Sequence, residues 1–138
     1  MSLVILTTGC RDWTDRQSIV DQLFDVSRGH MRDDVVVIHG CCPTGADSIV
    51  DEVAHNMGMA VESLAADWAK HGKAAGPIRN RQMVQAAIAI RNMSHGRAVC
   101  LAFWDGESRG TWNCIQEAVR AGLPVRIVPK VKLPEVAR

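Results

Sequence analysis

Short apolar runs alternate with longer amphipathic stretches along the chain, and that alternation restricts the fold more than any other feature. The apolar runs are Leu3-Val4-Ile5-Leu6-Thr7-Thr8, Val35 to His39, a shorter run Ala60 to Leu64, Ala98 to Phe103, and Val125 to Val128. Between them the apolar residues recur at helical spacing. Asp15 to Arg28 puts Ile19, Val20, Leu23 and Phe24 on one face, with Thr14 or Asp15 as cap. Ala46 to Met57 puts Ile49, Val50, Val53 and Ala54 inward and stops at Gly58. A third helix is expected to open at Pro77, where the missing N–H costs nothing, and to run to about Asn92. A fourth runs from Thr111 to Ala121, ended by Gly122 with Pro124 just beyond. The stretch from Ala65 to Gly76 reads as a loop, too polar and Gly-rich to pack, and Pro129 to Arg138 as a tail.

Strands buried on both faces and separated by helices give a parallel α/β sheet. Right-handed crossovers narrow the expectation to a Rossmann-like three-layer sandwich with strand order 3-2-1-4-5. At 138 residues the chain is expected to form one domain over 1–138, with 129–138 as its tail. Ligands of such sheets bind beyond the carboxyl ends of the strands, where strand order reverses. Here that point lies between the first and fourth strands.

The segments expected on that edge carry an unusual set of residues. They are Gly9-Cys10-Arg11-Asp12-Trp13 after the first strand and Gly40 through Asp47 after the second. Asp67-Trp68 and Gly72 through Asn80 follow the third, and Trp104 through Trp112 the fourth. All four tryptophans fall on or beside this edge. The chemistry implied is recognition of an anion plus a ring. Phosphate would sit on Gly9, Gly45, Ser108, Gly110 and Thr111, because glycines allow close amide approach and helix starts carry a partial positive charge. Arg11 and Arg79 would be counter-charges, with Arg109 nearby. Gly40, Asp47 and Asn80 complete the expected ligand-binding set, and Trp13, Trp68 or Trp104 would stack a base.

Other classes are excluded or disfavoured. Sixteen Lys and Arg against fifteen Asp and Glu leave a net charge of +1, without the basic excess of a duplex-DNA binder. No apolar run approaches the ~20 residues of a membrane span, and the start of the chain lacks the basic region of a signal peptide. Five cysteines, an odd number, point to free thiols in a cytoplasm. Adjacent Cys41 and Cys42 beside His39 have no zinc spacing, so no metal and no cofactor are expected. There is no Walker A motif and no Gly-x-Gly-x-x-Gly after the first strand, which disfavours a P-loop ATPase and an ordinary NAD dehydrogenase. His30, His55, His71 and His95 read as surface or packing residues.

Taken together, four motifs resemble the SLOG superfamily, which joins the DNA-processing protein A and Lonely Guy families, and within it the small YspA-related branch of bacteria and phages. They are Gly9-Cys10-Arg11; His39-Gly40 with Gly45-Ala46-Asp47; Asp67-Trp68 with Gly72-Lys73 and Ala75 through Met83; and Phe103 through Thr111. Cys41 stands where that family usually has a second glycine. The resemblance implies a cytoplasmic module, in the host cytoplasm if phage-encoded. It implies binding of a nucleotide or nucleotide-derived small molecule, and a homo-oligomer, commonly a dimer. Lonely Guy enzymes cleave a base from a nucleoside monophosphate with a glutamate that follows Gly-Thr; Cys114 occupies that place here. The alternative reading is an N-glycoside hydrolase or transferase with Asp105 or Glu107 as catalytic carboxylate. A third, single-stranded nucleic-acid binding, is disfavoured by the near-neutral charge.

Overall fold

The computed structural model describes residues 2–130. Five strands form one parallel sheet in the order β3-β2-β1-β4-β5. They are β1 (Leu3–Gly9), β2 (Val35–His39), β3 (Ala60–Ser63), β4 (Arg97–Trp104) and β5 (Val125–Pro129). The central strand β1 is in register with β2 from Leu3 opposite Val35, and with β4 from Leu3 opposite Arg97. This is the α/β, Rossmann-like order expected from the alternation of elements.

Alternating side chains of the central strands feed two cores, one on each face of the sheet. On one side Leu3, Ile5, Leu101 and Phe103 pack with α1 (Arg16–Val26) and α2 (Ala46–Asn56) through Ile19, Leu23, Val50 and Val53. On the other, Val4, Leu6 and Cys100 meet Met83, Val84 and Ala87 of α4 (Ala75–Ser94) and Cys114 and Ala118 of α5 (Arg109–Arg120). Each fully buried Ile, Leu or Val contributes about 1.5–3 kcal/mol. The sheet is therefore rigid where β1, β2 and β4 end, which is where a site would stand.

Several local expectations are corrected. Residues 65–76 are not all loop: α3 (Trp68–His71) is capped by Asp67, whose Oδ1 accepts the Lys70 N–H at 3.0 Å, and a tight turn at 72–74 leads into α4. The third long helix starts at Ala75, before Pro77, because any first-turn N–H is dispensable, and it continues to Ser94. The fourth starts at Arg109, two residues before Thr111, since Ser108 rather than a later residue is its cap. The strand β5 takes in Pro129, and 131–138 of the expected tail lie outside the described residues. Phe24 is not inward but 51% exposed, with the guanidinium groups of Arg28 and Arg32 each 5.9 Å from its ring centre. Asp15 is the cap of α1, its Oδ1 accepting the Ser18 N–H at 3.1 Å.

Candidate functional site

A cleft of about 790 Å³ opens over the carboxyl ends of β1, β2 and β4, within the usual size range of small-molecule sites. Of the expected ligand-binding residues, Gly9, Arg11, Gly40, Asp47, Trp68, Arg79, Asn80, Ser108, Gly110 and Thr111 line it, as does Asp105. Trp13, Gly45, Trp104 and Glu107 do not.

The physical reasons for those four differ. Trp13 is 2% exposed and belongs to the core, tilted against Phe103 with ring centres 5.6 Å apart. Its indole N–H is used by the Asp15 carbonyl and the Ser18 hydroxyl, so the ring closes the core instead of stacking a base. Trp104 is stacked on Trp112 at 5.1 Å, and its N–H donates to the Ser108 carbonyl at 3.0 Å. Gly45 lies against the Cys10 and Arg11 backbone, where a side chain would collide. The first amide of α2, Ala46, donates to the Cys10 carbonyl at 3.1 Å, which ties this helix start to the β1 loop. Glu107 is exposed on the β4–α5 turn, outside the cleft lining.

The β1/β4 end of the cleft is built for an anion. Gly9 is required by close packing, since a Cβ there would strike the Ala46 and Phe103 side chains. This packs the loop Cys10–Asp12 against the start of α2, while the Cys10 thiol accepts the Asp105 amide ahead of α5. Asp105 organises that start: its Oδ1 accepts the Glu107 and Ser108 amides at 2.8 Å each. These amides, Ser108 first, hold its carboxyl below the ordinary range, so it is ionised at neutral pH. Ser108 caps α5 through Thr111 N–H at 3.4 Å, and the two hydroxyls lie 3.0 Å apart. Helix geometry leaves the amides of Arg109 and Gly110 free. Arg11 and Arg109 are exposed at the mouth and have no ion-pair partner among the described residues.

The β2 side is a polar network. Arg79 donates to the Gly40 carbonyl and, through Nε, to Asn80 Oδ1 at 3.0 Å. Gly40 must be a glycine for this: a Cβ would come within 2.7 Å of the Arg79 guanidinium. Asn80, 2% exposed, donates to the Gly110 carbonyl at 3.2 Å and to Asn113 Oδ1 at 2.9 Å, tying α4 to the start of α5. Asp47 is 7% exposed, and its Oδ2 accepts the Cys42 N–H at 3.1 Å. Burial pushes its carboxyl above the ordinary value, against the pull of the Cys42 amide, His39 and Arg79.

Sequence reasoning missed part of this constellation. His39 is buried, its Nε2 lies 2.6 Å from Asp51 Oδ2, and its Nδ1 accepts the Cys41 N–H at 3.0 Å. Cys41 has φ of 60°, the left-handed region where a glycine is at home, so the backbone keeps the family's glycine shape at this position. Asn113, Met83 and Cys10 also line the cleft. Cys10, Asp12 and Asp105 place one ligand atom each within 4.8 Å of one another. The Cys10 thiol, however, donates to the Phe103 carbonyl and accepts the Asp105 amide, and burial raises its pKa, which disfavours the thiolate a metal needs. Cys114, where Lonely Guy enzymes have their glutamate, is fully buried and its pKa is pushed up to about 11, so it is a neutral thiol.

Residues 3–71 match the YspA, cpYpsA-related SLOG family. The chain is also 41% identical over 126 residues to the Gene 61 protein of Mycobacterium phage D29, an alignment covering 88% of this chain and 92% of that protein. The family match bears out the resemblance read from the motifs, and the phage relative fits the expected phage occurrence.

Proposed function

Because the chain belongs to the YspA, cpYpsA-related SLOG family, we propose that its carboxyl-edge cleft binds a nucleotide or a nucleotide-derived small molecule. The observation that carries this reading is the meeting of two features at the β1/β4 switch point. One is the exposed Arg11 and Arg109, neither with an ion-pair partner among the described residues; the other is the capped start of α5 with its free Arg109 and Gly110 amides. Trp68, 51% exposed at the rim, supplies a ring face for a base. The module senses or sequesters its ligand, and we take it to act as a homo-oligomer in the cytoplasm. Among the described residues no helix is long and apolar enough to cross a membrane.

Turnover is the less favoured reading. Cys114 has no charge to offer a cationic ribose, Glu107 lies outside the cleft, and Asp105 is ionised with Oδ1 committed to two amides. The test is titration calorimetry with AMP, GMP, CMP, UMP and ADP-ribose. At least one is expected to bind, and Arg11→Ala with Arg109→Ala should weaken it about 10- to 100-fold without unfolding. Absence of binding by all five overturns the reading. Chromatography of the same mixtures should show no free base; catalytic release lost in Asp105→Asn would establish the hydrolase instead.

A further inference from the structure

The two ends of the cleft differ in chemistry. The anion-binding elements stand at β1 and β4, whereas the β2 side holds a buried carboxylate. Asp47 Oδ2 is occupied by the Cys42 amide. Its Oδ1 accepts no hydrogen bond among the described residues, and no fully buried side-chain oxygen there lacks a partner, so Oδ1 is open to the cleft that Asp47 lines. The nearby Arg79 and His39 are committed elsewhere: Arg79 to Gly40 and Asn80, His39 to Asp51. Neither forms an ion pair with Asp47 among the described residues. Burying a carboxylate is costly, and the groups that offset the cost here, the Cys42 and Gly40 amides, stand on the side of Oδ2, with Arg79 nearby. The free oxygen is an acceptor that repels phosphate and attracts a hydroxyl.

Its position says which hydroxyl. Adjacent strands are about 4.8 Å apart, so a group beyond β2 stands roughly one to one and a half strand spacings from the β1/β4 anion site. That span suits the reach from a 5′-phosphate to the 2′,3′-diol of its ribose. Trp68, which follows β3 in the chain, and Pro77 also line the cleft, and the base would sit against them.

We propose that Asp47 is a specificity-determining residue that accepts a hydrogen bond from the ribose diol and makes the cleft selective for ribonucleotides over deoxyribonucleotides. This rests on the nucleotide reading of the cleft. The test compares AMP, GMP, CMP and UMP with their 2′-deoxy and 3′-deoxy counterparts by calorimetry, on the wild-type protein and on Asp47→Asn. The asparagine amide oxygen keeps an acceptor for Cys42, and circular dichroism checks the fold. Wild type should prefer the ribonucleotide over at least one deoxy counterpart by about 10- to 100-fold, as expected for a charged hydrogen bond. In Asp47→Asn that ratio should collapse towards one, through loss of ribonucleotide affinity. Equal wild-type affinity for ribo and both deoxy forms overturns the inference and leaves the nucleotide reading standing. An unchanged ratio in Asp47→Asn overturns the assignment to Asp47. Absence of binding by every monophosphate overturns the nucleotide reading and this inference with it.

Discussion

At the scale of single residues, two positions hold conformations or charges that the fold would shed if stability alone decided. Cys41 sits at φ 60°, which costs a residue with a Cβ about 1–2 kcal/mol, and the His39–Asp51 pair holds its amide there. Cys41→Gly removes that strain but gives the unfolded chain more freedom, worth about 0.4–1 kcal/mol in the other direction. The net expectation is a gain of about 0.5–1 kcal/mol, read as a higher urea midpoint with unchanged slope. Asp47 is the second case. Burial raises its folded-state pKa above the ordinary 3.8, although the Cys42 amide, His39 and Arg79 pull the other way. The folded state therefore binds this proton more tightly than the unfolded chain, and stability falls as the pH rises through the interval between the two pKa values. Asp47→Asn should be at least as stable as wild type at pH 7, with the difference shrinking as the pH drops and vanishing below about 3.8. Urea titrations across that range check the sign. A variant less stable at pH 7 by an amount that persists in acid would mean that the carboxylate is structural.

At the scale of elements, α5 matters most because its start is both a structural cap and part of the anion site. Ser108 does two jobs with one hydroxyl, bonding the Thr111 amide and lying 3.0 Å from the Thr111 hydroxyl. Thr111 itself is 2% exposed, so replacing it would disturb packing as well as binding. Ser108→Ala should cost about 1 kcal/mol of stability through the lost cap. Ser108→Asp should keep the cap, since aspartate is as good a capping residue, while placing a negative charge beside the anion site. The expected result is a melting temperature near wild type with nucleotide binding abolished, measured by calorimetry and thermal unfolding on the same sample. Retained binding in Ser108→Asp would move the phosphate away from α5. The short α3 element was not legible in the sequence, because four residues are too few for a periodic signal; the Asp67 cap was its one local cue.

At the scale of the whole molecule, the two cores divide the thiols. Cys10, Cys100 and Cys114 are buried, while Cys41 is exposed and Cys42 half-buried in the loop after β2. Burial raises the pKa of all three buried thiols, Cys100 well above the ordinary value and Cys114 to about 11. An aromatic disulfide reagent at neutral pH should therefore titrate Cys41 and Cys42 within minutes in the native protein. The remaining three should appear only on unfolding, for a total of five. Fewer than five under non-reducing, denaturing conditions would reveal a disulfide and overturn the argument for a reducing compartment.

The order of the elements was legible because it rests on local rules. Apolar runs such as Val35 to Ile38 can only be satisfied between two layers, and right-handed crossovers leave few ways to arrange them. Residues at the carboxyl edge followed directly, which is why Gly9, Arg11, Asp47, Arg79, Asn80 and Ser108 could be named from the chain alone. What the chain could not specify is which way a side chain turns once it reaches that edge. Trp13 and Trp68 have the same chemistry and both flank edge loops, yet one fills the core against Phe103 and the other stands half in solvent at the rim. The difference arises from a space beside Phe103 that exists only when α1 docks on β4's face. In the same way, the first amide of α2 is taken by the Cys10 carbonyl, whereas the start of α5 is capped by its own Ser108, although both begin beside a glycine. Local sequence determines that a group reaches the edge of the sheet; the neighbours brought there by distant parts of the chain decide whether it is used up in packing or left free for a ligand.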